Sequence, residues 1–107
     1  MSAQYMHIGI PVTSLKPGMT YNEDMKFWVS NPDDYDYKIE YLKFEDGTPF
    51  PVEMHHRPHV AYAVDDMQQY LDQADRIIFP KTEIGPGISI AFVVMDDAII
   101  ELYEDKN

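Results

Sequence analysis

The chain has 107 residues, a length that suits one compact domain, and its 45% hydrophobic content is enough for a modest core. Eight Lys and Arg against 19 Asp and Glu give a net charge of −11, which argues against a nucleic acid or an anionic membrane as partner. The lack of cysteine excludes disulfides and thiolate chemistry and leaves His, Asp and Glu as the strong metal ligands. No segment resembles a signal peptide or approaches the ~18 residues of a membrane span, so we expect a cytoplasmic protein.

Seven short runs predict strands, because they are rich in β-branched and aromatic residues and are bounded by turn-forming residues. In chain order they are His7–Val12, Met25–Ser30, Tyr37–Phe44, His59–Val64, Arg76–Phe79, Ile88–Val94 and Ala98–Tyr103. One helix is predicted by the helical spacing of Met67, Tyr70, Leu71 and Ala74, with Asp66 as its N-cap. In the first half, Pro17 and Gly18 predict that a matching helix is absent or very short.

The two halves of the sequence repeat each other. The first contains HIGIPV and later KIEYLKF, and the second contains HVAYAV and later IIELYE. Each half therefore begins with a strand headed by His and ends with a strand centred on Ile-Glu. The predicted modules span about residues 5–54 and 57–105 within a single domain of residues 1–107.

Side-chain alternation places both histidines on strand faces that carry small residues. These faces hold His7, Gly9 and Pro11 in the first half and His59, Ala61 and Ala63 in the second. Glu40 and Glu101 are acids in the middle of the two final strands, where burial is costly unless the carboxylate meets a cation or a metal. This pattern indicates the wall of a cavity.

Two imidazoles and two carboxylates are ligand types that Zn, Ni, Co, Mn and Fe(II) accept. An ion held by such residues can polarise substrate oxygens and stabilise a developing enolate, or activate oxygen. The residues alone leave a second interpretation open. In it, the cavity binds an organic ligand and the same four side chains only form hydrogen bonds.

HIGIPV, HVAYAVDDM and AFVVMDDAIIELYE resemble the glyoxalase, bleomycin-resistance and extradiol-dioxygenase superfamily, also called vicinal oxygen chelate proteins. The resemblance implies an α+β fold in which paired βαβββ modules form a curved mixed sheet around a metal-centred cavity. Here the first module is abbreviated, and the DPDG-like turn usual before the last strand reads MDDA. A homodimer is also expected, because an open sheet of this size leaves edges that association can cover.

The resemblance also implies the metal ligands. Carried onto this sequence they are His7, Glu40, His59 and Glu101. Glu53 of PVEM competes with Glu40 for the acid of the first module, but it lies in a proline-flanked stretch only six residues before His59.

The implied function is that of a divalent-metal-dependent lyase or isomerase acting on a small oxygenated metabolite, with Glu101 or Glu40 as the catalytic base. One alternative is an Fe(II) dioxygenase that uses only His7, His59 and Glu101. The other is a non-enzymatic small-molecule binding protein of the bleomycin-resistance type. His55 and His56 are expected at the rim of the cleft or in solvent.

Overall fold

The computed structural model describes residues 2–107, and about half of this range is β-strand. The described chain contains eight strands, whose pairings are both parallel and antiparallel. They are β1 (Ala3–Pro11), β2 (Thr20–Asn22), β3 (Phe27–Val29), β4 (Ile39–Phe44), β5 (His59–Val64), β6 (Arg76–Gly85), β7 (Ile88–Met95) and β8 (Ala98–Asp105). The predicted mixed sheet is confirmed, whereas the α+β description is met only in part.

Helices make up a small part of the described residues. The α-helix found there is α1 (Met67–Gln73), and two 3-10 helices cover Pro32–Asp34 and Val52–His55. No helix in residues 2–107 combines the length and the apolar content needed to cross a membrane. Strands therefore predominate over helices in the described residues.

The chain divides into two compact units. The N-terminal unit is His7–Pro58. The C-terminal unit consists of the chain up to Met6 together with His59–Asn107.

In the N-terminal unit, β2, β3 and β4 are successive antiparallel neighbours, and β1 runs parallel to β4. As Pro17 and Gly18 predict, no helix is found between β1 and β3. The segment instead contains β2, whose three residues are all exposed. β2 was not predicted from the sequence, because three exposed residues are too few to show an alternating pattern.

Aromatic packing shapes the proline-rich end of the N-terminal unit. Phe44 packs against the rings of Phe27 and Phe50, with centroids 6.0 and 5.8 Å away. The imidazole of His55 stacks on Phe44 at 4.4 Å, and its Nε2 lies 3.1 Å from the carbonyl oxygen of Phe50. The proline-flanked stretch that contains Glu53 forms a 3-10 helix at Val52–His55, which buries Met54.

In the C-terminal unit, β5 pairs in parallel with β8, β8 antiparallel with β7, and β7 antiparallel with β6. Helix α1 covers one face of these strands through a cluster formed by Val64, Met67, Ala91, Val93 and Leu102. The cross-strand register places His59, Ala61, Phe92 and Glu101 on the opposite face.

The predicted helix is confirmed, and Asp66 caps it by accepting the Gln68 N–H at 3.2 Å. β6 continues to Gly85, six residues beyond the predicted end at Phe79. Pro80 is tolerated there because β6 is the last strand in the sheet order and its pairing with β7 shifts register twice around this position.

Two of the predicted strands, β1 and β3, have different boundaries in the structure. β1 begins at Ala3, so His7 lies in the middle of a strand and does not open it. β3 is shorter than predicted and ends at Val29.

The acidic pair Asp96 and Asp97 forms the predicted hairpin turn between β7 and β8, and both residues have positive φ, 52° and 65°.

Candidate metal centre

In the N-terminal unit, the parallel pairing of β1 and β4 places Gly9 directly beside Glu40. Gly9 has no side chain, so the Glu40 carboxylate has room to extend towards His7, two residues earlier on the same face of β1. The Nε2 atom of His7 lies 3.3 Å from Oε1 of Glu40. The two side chains are 8% and 18% exposed, so the pair is largely shielded from water.

The C-terminal unit repeats this construction with different residues. The parallel pairing of β5 and β8 places Ala61 beside Glu101, two residues after His59. Nε2 of His59 lies 3.2 Å from Oε1 of Glu101, and the side chains are 1% and 11% exposed. The small residue two positions after each histidine therefore leaves space through which the carboxylate of the neighbouring strand reaches the imidazole.

Separations of 3.2 and 3.3 Å are close to those of adjacent ligands on one ion. Metal–ligand bonds of about 2.0–2.2 Å at a tetrahedral angle place two donor atoms about 3.3–3.6 Å apart. An ion held between the imidazole and the carboxylate would also offset the cost of burying the carboxylate.

A cluster of His and Glu side chains in the described chain could hold a metal ion. One ligand atom from each member lies within 4.8 Å of the others, and the members are His7, Glu40, His59 and Glu101. Two imidazole nitrogens and two carboxylate oxygens form a donor set that suits Zn, Ni, Co, Mn and Fe(II).

Three other residues that the sequence offered as possible site residues lie outside this cluster. Glu53 belongs to the 3-10 helix Val52–His55 and not to a strand. His55 belongs to the same helix and stacks on Phe44, while the exposed His56 follows as its C-cap.

Sequence reasoning missed Phe92, which borders the pair in the C-terminal unit. Phe92 on β7 is the cross-strand partner of Glu101, and its ring meets the imidazole of His59 edge-on, with centroids 5.1 Å apart and planes at 89°. A signal for it exists in the sequence. A two-residue turn at Asp96 and Asp97 fixes the register of the hairpin, and counting back from that turn pairs Phe92 with Glu101.

An apolar cleft of about 200 Å³ lies elsewhere in the C-terminal unit. Its lining is formed by Ala3, Tyr62, Val64, Tyr70, Val93, Met95, Ile100 and Leu102. Along β5 and β8 these residues alternate with His59 and Glu101, so the cleft is on the face of the sheet that carries α1. It contains no carboxylate or imidazole and does not belong to the candidate metal centre.

No protein-family model matches the chain, and no curated protein matches it significantly. A solved structure does match, that of the hypothetical protein BH1468 from Bacillus halodurans C-125. The two share 20% sequence identity with a TM-score of 0.66, over 100% of this chain and 97% of that one. At this identity the similarity shows a shared fold and carries no functional assignment.

Proposed function

We propose that this protein is a glyoxalase-like, divalent-metal-dependent lyase or isomerase that acts on a small oxygenated metabolite. The observation that carries the proposal is the cluster of two imidazoles and two carboxylates. The repeated construction supports it, because in each unit a parallel strand pair places a small residue beside a Glu and two positions after a His. A homodimer remains part of the proposal as a prediction.

In this proposal, the imidazoles of His7 and His59 and the carboxylates of Glu40 and Glu101 would hold the ion. When bound, the ion would supply Lewis-acid polarisation of a substrate oxygen. A carboxylate of the chain, from Glu101 or Glu40, accepts a proton from the substrate carbon beside that oxygen and later returns it. The low exposure of both carboxylates, 11% and 18%, limits competition from water for that proton.

One observation favours a second candidate, an Fe(II) dioxygenase with a three-ligand site. Glu40 is the more exposed of the two carboxylates, with 18% of its side chain accessible against 11% for Glu101. If Glu40 does not bind the ion, then His7, His59 and Glu101 form the two-His-one-carboxylate set of non-haem iron enzymes.

Metal analysis of protein purified without an affinity tag tests the proposal. We expect a stoichiometric divalent ion and an increase in Tm when Zn, Ni, Co, Mn or anaerobic Fe(II) is added. An ion present at about 100 times its Kd stabilises the folded state by about 2.7 kcal/mol. For a domain of this size that corresponds to a rise of roughly 10–20 °C.

Matched histidine variants control for the loss of an imidazole as such. His59→Ala is expected to abolish the metal-induced rise in Tm, whereas His56→Ala, outside the cluster, is expected to keep it. Glu40→Ala separates the four-ligand site, which it destroys, from the three-ligand site, which it leaves intact. A wild-type protein that neither contains nor responds to any of these ions would refute both enzymatic candidates and favour a non-enzymatic small-molecule binding protein.

A further inference from the structure

Phe92 in the C-terminal unit is a buried core residue that also lies next to the candidate metal ligands. Because it is the cross-strand partner of Glu101, its side chain projects from the same face of the sheet as that carboxylate. Its ring also meets the His59 imidazole at 5.1 Å with the planes nearly perpendicular. One side chain therefore lies beside both members of the His59–Glu101 pair.

Phe92 is itself held firmly. Phe79 packs against it in a second edge-on contact, with centroids 5.9 Å apart and planes at 78°. Both phenylalanines are buried, at 2% and 8% exposure, and the hairpin turn fixes the register that places Phe92 opposite Glu101. A ring in this position forms a rigid wall for the imidazole.

A rigid wall matters because rotation of an imidazole about its last torsion is intrinsically broad. A perpendicular ring at 5.1 Å blocks part of that rotation and keeps Nε2 directed at Oε1 of Glu101, 3.2 Å away. A ligand that is already oriented loses less conformational freedom when an ion binds, and the affinity rises accordingly.

We propose that Phe92 is a positioning residue that preorganises His59 for metal binding and makes the His59–Glu101 pair the preformed half of the metal site. This inference rests on the metal site of the proposed function. The exposures agree with it, because the His59 and Glu101 side chains are 1% and 11% exposed whereas those of His7 and Glu40 are 8% and 18% exposed.

The test compares Phe92→Leu with Phe79→Leu in the full chain. Both variants shorten a buried phenylalanine: Phe92 is in ring contact with His59, and Phe79 packs against Phe92. The measurements are the Kd for Co²⁺ by titration calorimetry, the visible absorption spectrum of the bound Co²⁺, and unfolding in urea. Phe92→Tyr retains the ring and serves as the conservative rescue variant.

We expect Phe92→Leu to weaken Co²⁺ binding by about tenfold or more and to change the Co²⁺ spectrum. Phe79→Leu should lose stability while its Kd stays within about threefold of wild type, and Phe92→Tyr should bind Co²⁺ as wild type does. If Phe92→Leu does not fold, Phe92→Met replaces it, since an unbranched side chain fills the space without a ring, and the same loss is expected.

Two results would overturn the inference while leaving the metal site standing. In the first, wild type binds Co²⁺ and the Phe92 variant binds it equally well. In the second, the Phe79 and Phe92 variants weaken binding to the same extent, which would indicate general loosening of the core. If wild type itself binds no Co²⁺ and none of the other ions, the proposed function fails and the inference fails with it.

Discussion

Glu104 is a buried carboxylate that joins the start of α1 to β8. Its Oε2 accepts the Met67 N–H at 2.7 Å, and its Oε1 lies 3.0 Å from Nζ of Lys81. Nζ of Lys106 lies 3.7 Å from Oε2. Because only 3% of the Glu104 side chain is exposed, water cannot replace these partners. We expect Glu104→Gln to destabilise the protein, although the substitution keeps the shape of the side chain.

The size of the loss follows from the partners. A hydrogen bond to a charged group contributes about 1.5–3 kcal/mol, and the amide oxygen of Gln retains part of it. The ion pairs add about 0–1 kcal/mol, because the Lys81 and Lys106 side chains are 47% and 57% exposed. The expected decrease in the free energy of unfolding is therefore about 2 kcal/mol, or roughly 8–16 °C in Tm.

The loss should also depend on pH. Burial raises the pKa of Glu104. The Met67 N–H and the Lys81 ammonium group together lower it by more than burial raises it, so the pKa of this carboxyl lies below its usual range. A carboxyl with a lowered folded-state pKa stabilises the protein fully above its ordinary value of about 4.3, and this contribution declines as the pH falls through the folded-state pKa. The difference in stability between wild type and Glu104→Gln should therefore shrink below about pH 4.3.

Urea unfolding followed by far-ultraviolet circular dichroism, from about pH 7 down to about pH 3, measures both effects. Glu83→Gln is the matched control, because Glu83 is an exposed carboxylate on β6, and a change of less than about 0.5 kcal/mol is expected for it. The reasoning is refuted if Glu104→Gln is as stable as the control at neutral pH, or if its difference from wild type grows as the pH falls.

Three further substitutions test the packing and the local structure. Ala61→Leu places a large side chain at a fully buried position beside Glu101, so it should lower the free energy of unfolding by about 1–3 kcal/mol and abolish the metal-induced rise in Tm. Unchanged metal binding would contradict this prediction. Asp97→Gly should stabilise the hairpin by about 0.5 kcal/mol in urea unfolding, because residue 97 has a φ of 65°; a decrease in stability would show that the Asp side chain is needed there. Asp66→Ala removes the cap on Gln68 and should cost about 1 kcal/mol, whereas no change would mean that Glu104 alone secures the helix start.

Local sequence was sufficient for most of the strands, for α1 with its Asp66 cap, and for the repeat that pairs a His with a Glu in each half. These features depend on residues that are neighbours in the chain or alternate along one strand. It was not sufficient at three places. β2 is too short to show a pattern, β6 continues past Pro80 because it is an edge strand, and the stretch around Met54 folds over a phenylalanine cluster that has no local signature.

At the candidate site, the sequence by itself determined which residue types are available and on which face of each strand they lie. The tertiary structure decided their partners: Gly9 beside Glu40, Ala61 beside Glu101, and Phe92 against His59. It also placed Glu104 under the start of α1. The physical reason is that alternation is a property of a single strand, whereas register is a property of two strands that can be far apart in the chain. A parallel pair has no tight turn from which its register can be counted, so only the folded chain shows which carboxylate meets which imidazole.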